Sequence, residues 1–508
     1  MSLAPLDIAA FVAFLAMVVG ISLWHSRHEE DSADYFLAGR GLGGLLIGIS
    51  LIASNISTEH FVGMAGSGYG AAGLAIASYE WIAAVTLVVV AFGLLPLFLR
   101  LGIYTMPEFL EHRFGVGPRT LMAVYMLVAY VGVAMAAVLY SGALGMKTLF
   151  GLDLITGIWL VGALAGVYTV YGGLKAVVWS DLIQGLALLM GGALVLFLGM
   201  RAVGGWDAFV AGGGDKLHVI LPSDHPEIPW TALLLGIWIP NFFYWGFNQF
   251  ITQRTLGASS LAAGQRGIVL AAFLKLLIPF LIVFPGIMAW QIYGEALQNG
   301  DQAYALLIRD LVPAGLRGIL FAALFGAVMS SLDSMLNSAS TIFTMDIYRR
   351  HVHPEADGPA LLRVGRWTTG VLVVLACLLA PLPGRFQGVF TYIQMIWGFI
   401  SPGVVAAFLF GVTVRRAPTA AAWAGLTLGA PIYGFLLWQW PHVAFLNHMA
   451  LTFVLLVAVM GVVTLLRPRA EPATFPGTGA VDLTPSRGAA WAGGAVVAAT
   501  GALYWVFR

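Results

Sequence analysis

Six ionisable residues lie inside long apolar stretches of the sequence, where a charged side chain is costly. They are Glu59, His60, Glu80, Asp181, Lys275 and Asp333. Charged groups at membrane depth are rare, pair with one another or face a water-filled cavity, and mark the paths of ions and substrates. Glu80 and Lys275 have no ionic neighbour in the sequence, so each must find a partner in the folded protein. We predict one shared polar cavity; the alternative is a purely structural Glu–Lys pair.

A stripe of small polar residues follows the helical period between positions 327 and 341. It consists of Ser330, Ser334, Asn337, Ser338 and Thr341. The adjacent hydroxyls of Ser330 and Ser331 could bind a dehydrated cation together with backbone carbonyls freed near Ala53 and Ile56. Because this group contains no obligatory carboxylate, it suits a monovalent ion better than calcium. The alternative is that these small residues only allow helices to pack closely.

Two apolar segments are interrupted by polar residues near their middle. The interruptions read Ala53-Ser-Asn-Ile-Ser-Thr-Glu-His60 and Pro240-Asn-Phe-Phe-Tyr-Trp-Gly-Phe-Asn-Gln249. A polar break at membrane depth is tolerated only where it is packed in protein or lines a wet cavity. Breaks at corresponding positions of two halves are typical of an inverted repeat. The alternative is that these residues are hydrogen-bonding contacts between neighbouring helices.

The composition identifies the class of protein that must hold these groups. Of 508 residues, 60% are apolar and 10% are charged, and the mean hydropathy is +0.89. Soluble domains are about 45–50% apolar and about 25% charged. The chain contains fourteen apolar segments near the length of a membrane span. We therefore predict an all-α polytopic membrane protein of about 14 transmembrane helices, with a five-plus-five inverted-repeat core and two broken helices.

The order of the segments predicts four parts of the chain. Residues 1–30 hold an extra N-terminal span, which is too long and lacks the basic start expected of a cleaved leader. Residues 42–205 and 229–414 form the two five-helix repeats. Residues 415–508 add three spans, with a cytosolic linker at 467–487 that contains four prolines and should lack structure of its own.

The charges and the single cysteine exclude several functions. A net charge of +1 gives no reason to expect nucleic-acid binding. Cys377 is the only cysteine, which excludes an internal disulfide and a Cys-rich metal site. The sequence has no catalytic or nucleotide-binding motif, so an enzyme is not expected, and nothing indicates an obligatory protein partner. Lys and Arg are concentrated in alternate loops, which predicts that both termini lie on the outer side of the membrane. The membrane is expected to be a plasma membrane, specifically a bacterial inner membrane.

Several longer motifs together resemble the sodium/solute symporter family over about residues 35–413. The motifs are the stretch from Ala53 to Met64, Ser78-Tyr-Glu-Trp81, Tyr171-Gly-Gly-Leu-Lys-Ala-Val-Val-Trp-Ser-Asp181, Tyr244-Trp-Gly-Phe-Asn-Gln249, Gln253-Arg-Thr255, Ser330-Ser331, Asn337-Ser338 and Phe343-Thr-Met-Asp-Ile-Tyr348. They are most similar to the sodium–glucose cotransporter branch with its bacterial sodium/galactose members. The resemblance implies alternating access, a sugar bound at the membrane midplane and sodium as the co-transported ion.

The resemblance also implies roles for individual residues. The side chains expected to contact the sugar are Asn55, His60, Glu80, Asn241, Tyr244, Lys275 and Gln394. Tyr244 would be the inner gate, and Met64 and Phe390 would close the outer side. The sodium ligands would be backbone oxygens of Ala53, Ile56 and Ala327 and the hydroxyls of Ser330 and Ser331. Asp181 would lie on the inward sodium route or form a second ion site with Asp333 and Ser334.

Five positions differ from the galactose-transporting members and leave the substrate and the ion count open. They are His60, Ala83, Phe243, Trp397 and Asp333. The first hypothesis is a sodium-coupled importer of a monosaccharide of the glucose or galactose type. The second is a sodium-coupled symporter for myo-inositol or another small polar solute, and the third is an uncoupled solute channel or a membrane sensor. At Asp333 we expect a second sodium ion rather than a proton, with an arginine or backbone partner as the alternative.

Overall fold

The computed structural model describes residues 4–25, 36–57, 59–297, 300–385, 389–479 and 481–508. Within these residues the regular structure is helical, and β contacts are isolated bridges. A helix satisfies its own backbone polar groups, which is what lipid requires. The all-α prediction is confirmed. The α-helices are α1 (Pro5–His25), α2 (Gly44–Asn55), α3 (Ala65–Tyr69), α4 (Ser78–Val89), α5 (Leu95–Leu101), α6 (Met106–Phe114), α7 (Val116–Ala129), α8 (Ala136–Phe150), α9 (Leu154–Ala202), α10 (Trp206–Gly213), α11 (Trp238–Phe242), α12 (Gln249–Leu256), α13 (Leu261–Tyr293), α14 (Ala303–Leu311), α15 (Leu316–Ile342), α16 (Gly358–Leu379), α17 (Val389–Trp397), α18 (Ser401–Thr413), α19 (Thr419–Gln439), α20 (Phe445–Leu466) and α21 (Arg487–Val506).

Shorter helical segments extend or join these helices. The π-helical segments are Glu59–Met64, Val90–Leu94, Tyr130–Met135, Ala232–Gly236, Phe243–Phe247 and Phe343–Val352. The 3₁₀ segments are Ala38–Arg40, Gly73–Ala77, Gly214–Leu217, Gly294–Ala296, Gly300–Gln302 and Leu382–Arg385. Single π-helical turns are frequent at functional sites, and two of these segments adjoin the breaks described below.

The apolar helices differ in length, and only some of them are long enough to cross a membrane. In the described chain, nine helices are long and apolar enough to cross a membrane, and α2 with the helix beyond its break makes a tenth if the pair is one span. Four further apolar helices have 10–17 residues: Pro5–Val18, Leu154–Val167, Ala232–Phe247 and Ser401–Thr413. A span needs about 20 residues. A count of fourteen spans therefore stays a prediction.

Helix α15 lies at the centre of the bundle. In its apolar window 89% of the residues are buried, compared with 28% in α20 and 22% in α21. Helices α1, α2, α9 and α16 pack around α15. The polar stripe on α15 is therefore enclosed by protein, whereas the two C-terminal helices present most of their surface to lipid.

Both predicted breaks are present in the backbone. Helix α2 ends at Asn55, Ile56 is extended (φ −76°, ψ 104°), and the next helical segment starts at Glu59 with its axis bent by 60°. The second helix is interrupted at Asn248, which is also extended (φ −87°, ψ 122°) between Phe243–Phe247 and α12. Each break leaves backbone groups without helical partners at the middle of the bundle.

Two glycines allow α2 to lie directly on α13. A Cβ atom on Gly48 would lie 2.8 Å from the carbonyl oxygen of Gly267, and a Cβ on Gly267 would lie 2.8 Å from that of Gly44. Any larger residue at either position would push the two helices apart. The close contact brings Asn55, at the end of α2, within hydrogen-bonding distance of Lys275 on α13.

Two parts of the chain differ from the expectation. Two of the fourteen apolar segments, residues 153–174 and 178–200, are predicted as separate spans, but they are continuous in helical structure as α9, a stretch of 49 residues. The linker 467–487 has no helix of its own before α21 in its described residues, yet backbone hydrogen bonds hold it. The Thr478 amide donates to the Arg100 carbonyl at 2.9 Å, and the Leu261 amide donates to the Asp482 carbonyl at 2.8 Å. Its proline content prevents helix formation, but it does not prevent bonding to exposed helix ends.

Candidate functional site

A cavity lies between the two broken helices. Its lining includes all seven side chains expected to contact a sugar, namely Asn55, His60, Glu80, Asn241, Tyr244, Lys275 and Gln394. Residues almost 340 positions apart in the sequence thus share one cavity, because α2, α4, α11, α13 and α17 converge there.

The other predicted cavity residues are distributed differently. Met64, Phe243 and Trp397 also line the cavity. Ala83 is buried within α4. The side chain of Phe390 lies outside the described residues. The cavity wall also contains Ser54, Glu59, Tyr79 and Trp245, to which the sequence analysis gave no role in binding.

Glu80 and Lys275 form an ion pair that faces the cavity. The Lys275 ammonium donates to Glu80 Oε2 and to Asn55 Oδ1, and it lies 4.9 Å from the centre of the Trp245 ring. Asn55 Nδ2 in turn donates to the Tyr244 hydroxyl at 3.0 Å. The pair is therefore held by residues of both broken helices, and removal of either charge would leave its partner buried and uncompensated.

His60 contacts both the first break and the Glu80 carboxylate. Its Nδ1 lies 3.4 Å from the Ser57 amide nitrogen, which donates to it. Its Nε2 lies 3.5 Å from Glu80 Oε1. His60 therefore joins the break after α2 to the Glu80–Lys275 pair.

The break after α2 releases the two carbonyls that were expected to bind sodium. In a continuous helix the Ala53 carbonyl would accept from the amide of Ser57, and the Ile56 carbonyl from the amide of His60. Instead, the Ser57 amide donates to His60 Nδ1, and the His60 amide donates to the Ser57 carbonyl at 3.0 Å. Both expected oxygens are therefore without their helical donors.

The two serines of α15 approach the same break. Ser331 Oγ donates to the Ser54 carbonyl at 3.0 Å, and Ser330 Oγ donates to Asp181 Oδ1. Ala327 is buried one turn earlier on α15. The structure thus brings the hydroxyls of α15 to the open carbonyl end of α2. They lie beside the cavity, and Ser331 is one of its lining residues.

A fully buried arginine occupies the region expected to hold a second ion. The Arg254 guanidinium donates from Nη2 to Asp181 Oδ2 at 2.9 Å and from Nε to Ser50 Oγ at 2.5 Å. It also donates to the hydroxyls of Ser54 and Ser334. No role was predicted for Arg254 beyond its place in a family motif. The polar run Gln253-Arg254-Thr255, which follows the second break inside α12, was the available signal.

Asp333 lies outside this group, which corrects the expected set of Asp181, Asp333 and Ser334. The Asp333 carboxyl contacts the Thr169 hydroxyl through Oδ1 at 2.8 Å, and its buried Oδ2 has no hydrogen-bond partner among the described residues. The reason is the helical phase. At about 100° per residue, Ser330 and Ser334 lie about 40° apart on α15, and Asp333 lies about 100° from Ser334.

A comparison with protein families shows to which family the chain belongs. Residues 35–429 match the sodium:solute symporter family. The chain belongs to this family. It is therefore a membrane-embedded, sodium-coupled solute symporter, and it is not an enzyme. Sodium as the co-transported ion and a polytopic helical transporter, as predicted, are confirmed.

Individual relatives support the same assignment. This symporter is 40% identical over 491 residues to a sodium/glucose cotransporter of Vibrio parahaemolyticus, covering 91% of this chain and 90% of the relative. It is 35% identical over 480 residues to sodium/myo-inositol cotransporter 2 of Oryctolagus cuniculus, covering 86% and 70% of the two chains. A solved sodium-coupled sialic acid symporter superposes with a TM-score of 0.82 at 23% identity over 93% of this chain and 99% of that chain, which shows a shared fold.

Proposed function

We propose that this symporter imports a monosaccharide of the glucose or galactose type together with sodium. The observation that carries the proposal is the single cavity in which all seven expected sugar contacts meet beside the open end of α2. The cavity combines the donors of Lys275, the acceptors of Glu80 and the amides of Asn55 and Gln394 with the Tyr244 ring. A polyhydroxylated ring needs this mixture, because each hydroxyl both donates and accepts.

Sodium binding is proposed at the five oxygens beside the break. They are the carbonyls of Ala53, Ile56 and Ala327 and the hydroxyls of Ser330 and Ser331. Support comes from the two carbonyls that lose their helical donors and from the contact of Ser331 with Ser54. Because Asn55 and His60 belong to the same break, an ion that orders the break also orders two sugar-contacting side chains, which would couple the two binding events.

We propose that Asp333 holds a proton rather than a second sodium ion, which reverses the earlier preference. The Thr169 hydroxyl lies 2.8 Å from both the Ala165 carbonyl and Asp333 Oδ1. Its single proton cannot be donated to both oxygens. A protonated Asp333 resolves this conflict, since it donates to Thr169 while Thr169 donates to Ala165. A second cation at Asp181 and Ser334 would have to displace the Arg254 guanidinium.

Alternating access would use the two breaks as pivots between repeats 42–205 and 229–414. Tyr244 would close the inner side, held by the Asn55 amide, and Met64 with Phe390 would close the outer side. The extended residues Ile56 and Asn248 interrupt the two helices at the cavity and support this arrangement. Both termini would lie on the outer side of a bacterial inner membrane.

A symporter for myo-inositol is the second candidate. Its support is the 35% identity to a sodium/myo-inositol cotransporter over 86% of this chain. The test is uptake into proteoliposomes of labelled glucose, galactose and myo-inositol under an inward sodium gradient. Hexose uptake that myo-inositol does not compete with supports the first candidate, and the opposite preference supports the second. Sodium-independent equilibration of all three would indicate a channel instead.

A further inference from the structure

The helix that follows the second break is capped by a residue of another helix. Asn248 is the N-cap of α12, a position at which an Asn side chain usually accepts a hydrogen bond from the amide of the second or third helical residue. Here the Asn248 side chain makes no such bond. The Tyr130 hydroxyl lies between the two groups instead, since it accepts from the Phe250 amide at 3.3 Å and donates to Asn248 Oδ1. A tyrosine from the π-helical segment Tyr130–Met135 therefore completes the N-terminus of α12.

This cap depends on the Tyr130 hydroxyl. Tyr130 and Asn248 are both fully buried, so bulk water does not compete for their hydrogen bonds. Asn248 Nδ2 has no hydrogen-bond partner among the described residues, and within them the side-chain amide is held through Oδ1 by Tyr130. Without the hydroxyl, the Phe250 amide and Asn248 Oδ1 would both lose a partner. Because a buried polar group without a partner is costly, the break would then shift.

Aromatic contacts connect this cap to the Tyr244 ring. The Tyr130 ring meets the Phe250 ring edge to face, with centroids 5.9 Å apart and planes at 87°. The Phe250 ring meets the Tyr244 ring in the same way, at 5.3 Å and 89°. Phe250 and Tyr244 both line the cavity. Because edge-to-face contacts depend on the relative orientation of the rings, a shift of Phe250 would move the surface against which Tyr244 packs.

We infer that Tyr130 is a positioning residue that holds the inner gate closed through Phe250. This inference rests on the proposed function, in which Tyr244 closes the inner side of the cavity. Tyr130 belongs to the proposed repeat 42–205, whereas Phe250 and Tyr244 belong to the proposed repeat 229–414. The Tyr130 hydroxyl thus fixes the second broken helix to a helix of the other repeat, and the inner side opens when this contact is released.

The test is the reactivity of a cysteine placed in the cavity wall. The parent protein carries Cys377→Ala, which removes the only natural cysteine, and Val138→Cys, which places a thiol in the cavity lining about two helical turns beyond Tyr130. A membrane-impermeant maleimide is applied in potassium buffer to inside-out and to right-side-out membrane vesicles. Because the cap loses one hydrogen bond, Tyr130→Phe should raise the labelling rate from the cytosolic face about fivefold or more and leave the rate from the outer face within about twofold.

Two further variants complete the experiment. Asn248→Ala removes the acceptor of the Tyr130 hydroxyl but keeps the aromatic rings, so it should have the same effect as Tyr130→Phe and decides alone if that variant does not fold. The matched control is Tyr125→Phe on α7, because the Tyr125 hydroxyl donates to the Leu426 carbonyl at 3.4 Å, away from the break. The control should label like the parent protein from both faces.

The outcomes separate this inference from the proposed function. A cytosolic labelling rate that stays at the parent value would overturn the role of Tyr130. An equal increase from both faces would also overturn it, since that result indicates general loosening of the helix packing. Sodium-driven sugar uptake by the wild type is measured separately in proteoliposomes. Its absence would contradict the proposed function, while the labelling rates would still decide whether Tyr130 holds the inner side closed.

Discussion

At the scale of single residues, the Glu80–Lys275 pair is the most specific feature of the cavity. Lys275 is fully buried, and Glu80 is 3% exposed. Each contributes charge-assisted hydrogen bonds, which a neutral side chain of similar shape cannot replace. Because a site built to bind hydroxyls rejects analogues that lack them, deoxy-sugars that lose a hydroxyl facing this pair should bind poorly.

We predict that Glu80→Gln and Lys275→Met each abolish detectable sugar binding. Each variant also leaves a buried charge without its partner, which costs about 3–5 kcal/mol of stability. The double variant, which has neither charge, should recover most of that stability and still fail to bind sugar. Binding is measured by calorimetry and stability by thermal unfolding. Normal sugar affinity in either single variant would make the pair purely structural.

Ser331 provides the residue-level test of the sodium site. Ser331→Ala removes one proposed ligand and should raise the sodium concentration for half-maximal uptake roughly tenfold or more, because hydrogen-bond-type contacts to a charge contribute about 1.5–3 kcal/mol. The matched control is Ser340→Ala on the same helix, since Ser340 Oγ donates to the Gly365 carbonyl, away from the break. An unchanged sodium dependence in well-folded Ser331→Ala would return this serine to a helix-packing role.

Most of these residues could be predicted from the sequence, but which of them contact each other could not. Asn55, Glu80 and Lys275 could be predicted to line a cavity because they are polar groups within apolar helices, where each polar group needs a partner. The sequence does not contain the distances between these side chains in the folded protein. Nothing in the sequence shows that Asn55 and Glu80 together satisfy the Lys275 ammonium group.

At the scale of helices, α2, α9, α12 and α15 meet at the Arg254–Asp181 ion pair. Both side chains are fully buried. Arg254→Gln should leave the Asp181 carboxylate unpaired and lower stability by about 3–5 kcal/mol in potassium buffer. Sodium that neutralises the carboxylate should restore part of this loss, because a ligand of the folded state stabilises it. The measurement is the unfolding temperature in sodium and in potassium.

Arg113→Gln is the matched control for this experiment. Arg113 is also buried, but it donates to the carbonyls of Gly411, Val414 and Ala417 rather than to a carboxylate. Its loss should destabilise the protein equally in both salts. If the stability of Arg254→Gln is equally insensitive to the choice of cation, Asp181 does not take up sodium when its arginine is removed.

The contact between α9 and α15 tests the protonation of Asp333. Asp333→Asn keeps the shape and can donate to Thr169, so uptake and the sodium Hill coefficient should match the wild type. Asp333→Leu should lower stability, because it removes the donor to the buried Thr169 hydroxyl and changes the side-chain shape. A Hill coefficient near two that falls toward one in Asp333→Asn would contradict this account and restore the second sodium ion.

The helices and their breaks were predictable where they follow from the apolar or polar character of the local sequence. The apolar segments and both breaks are visible in the sequence because lipid forbids unpaired polar backbone. The direction in which the Asp333 side chain points was not predictable, because a shift of one residue turns a side chain by about 100° around the helix. The linker 467–487 shows the same limit: its composition predicts the lack of a helix but not its bonds to Arg100 and Leu261.

At the scale of the whole molecule, the proposed transport requires coupling between the sodium site and the sugar site at one break. The α2 end supplies two of the five proposed sodium oxygens and also the Asn55 side chain that lines the cavity. One sodium ion crossing about 100 mV yields about 2.3 kcal/mol, and a tenfold concentration gradient adds about 1.4 kcal/mol. Together they support an accumulation of roughly 500-fold for one ion per sugar.

The most direct test of coupling is concentrative uptake of the preferred labelled sugar into proteoliposomes with an imposed inward sodium gradient and an inside-negative potential. We predict internal sugar well above the external concentration, up to the roughly 500-fold limit for one ion. Accumulation should disappear when potassium replaces sodium or when the gradient is dissipated. Accumulation that persists without sodium and is driven by a proton gradient alone would contradict the central claim.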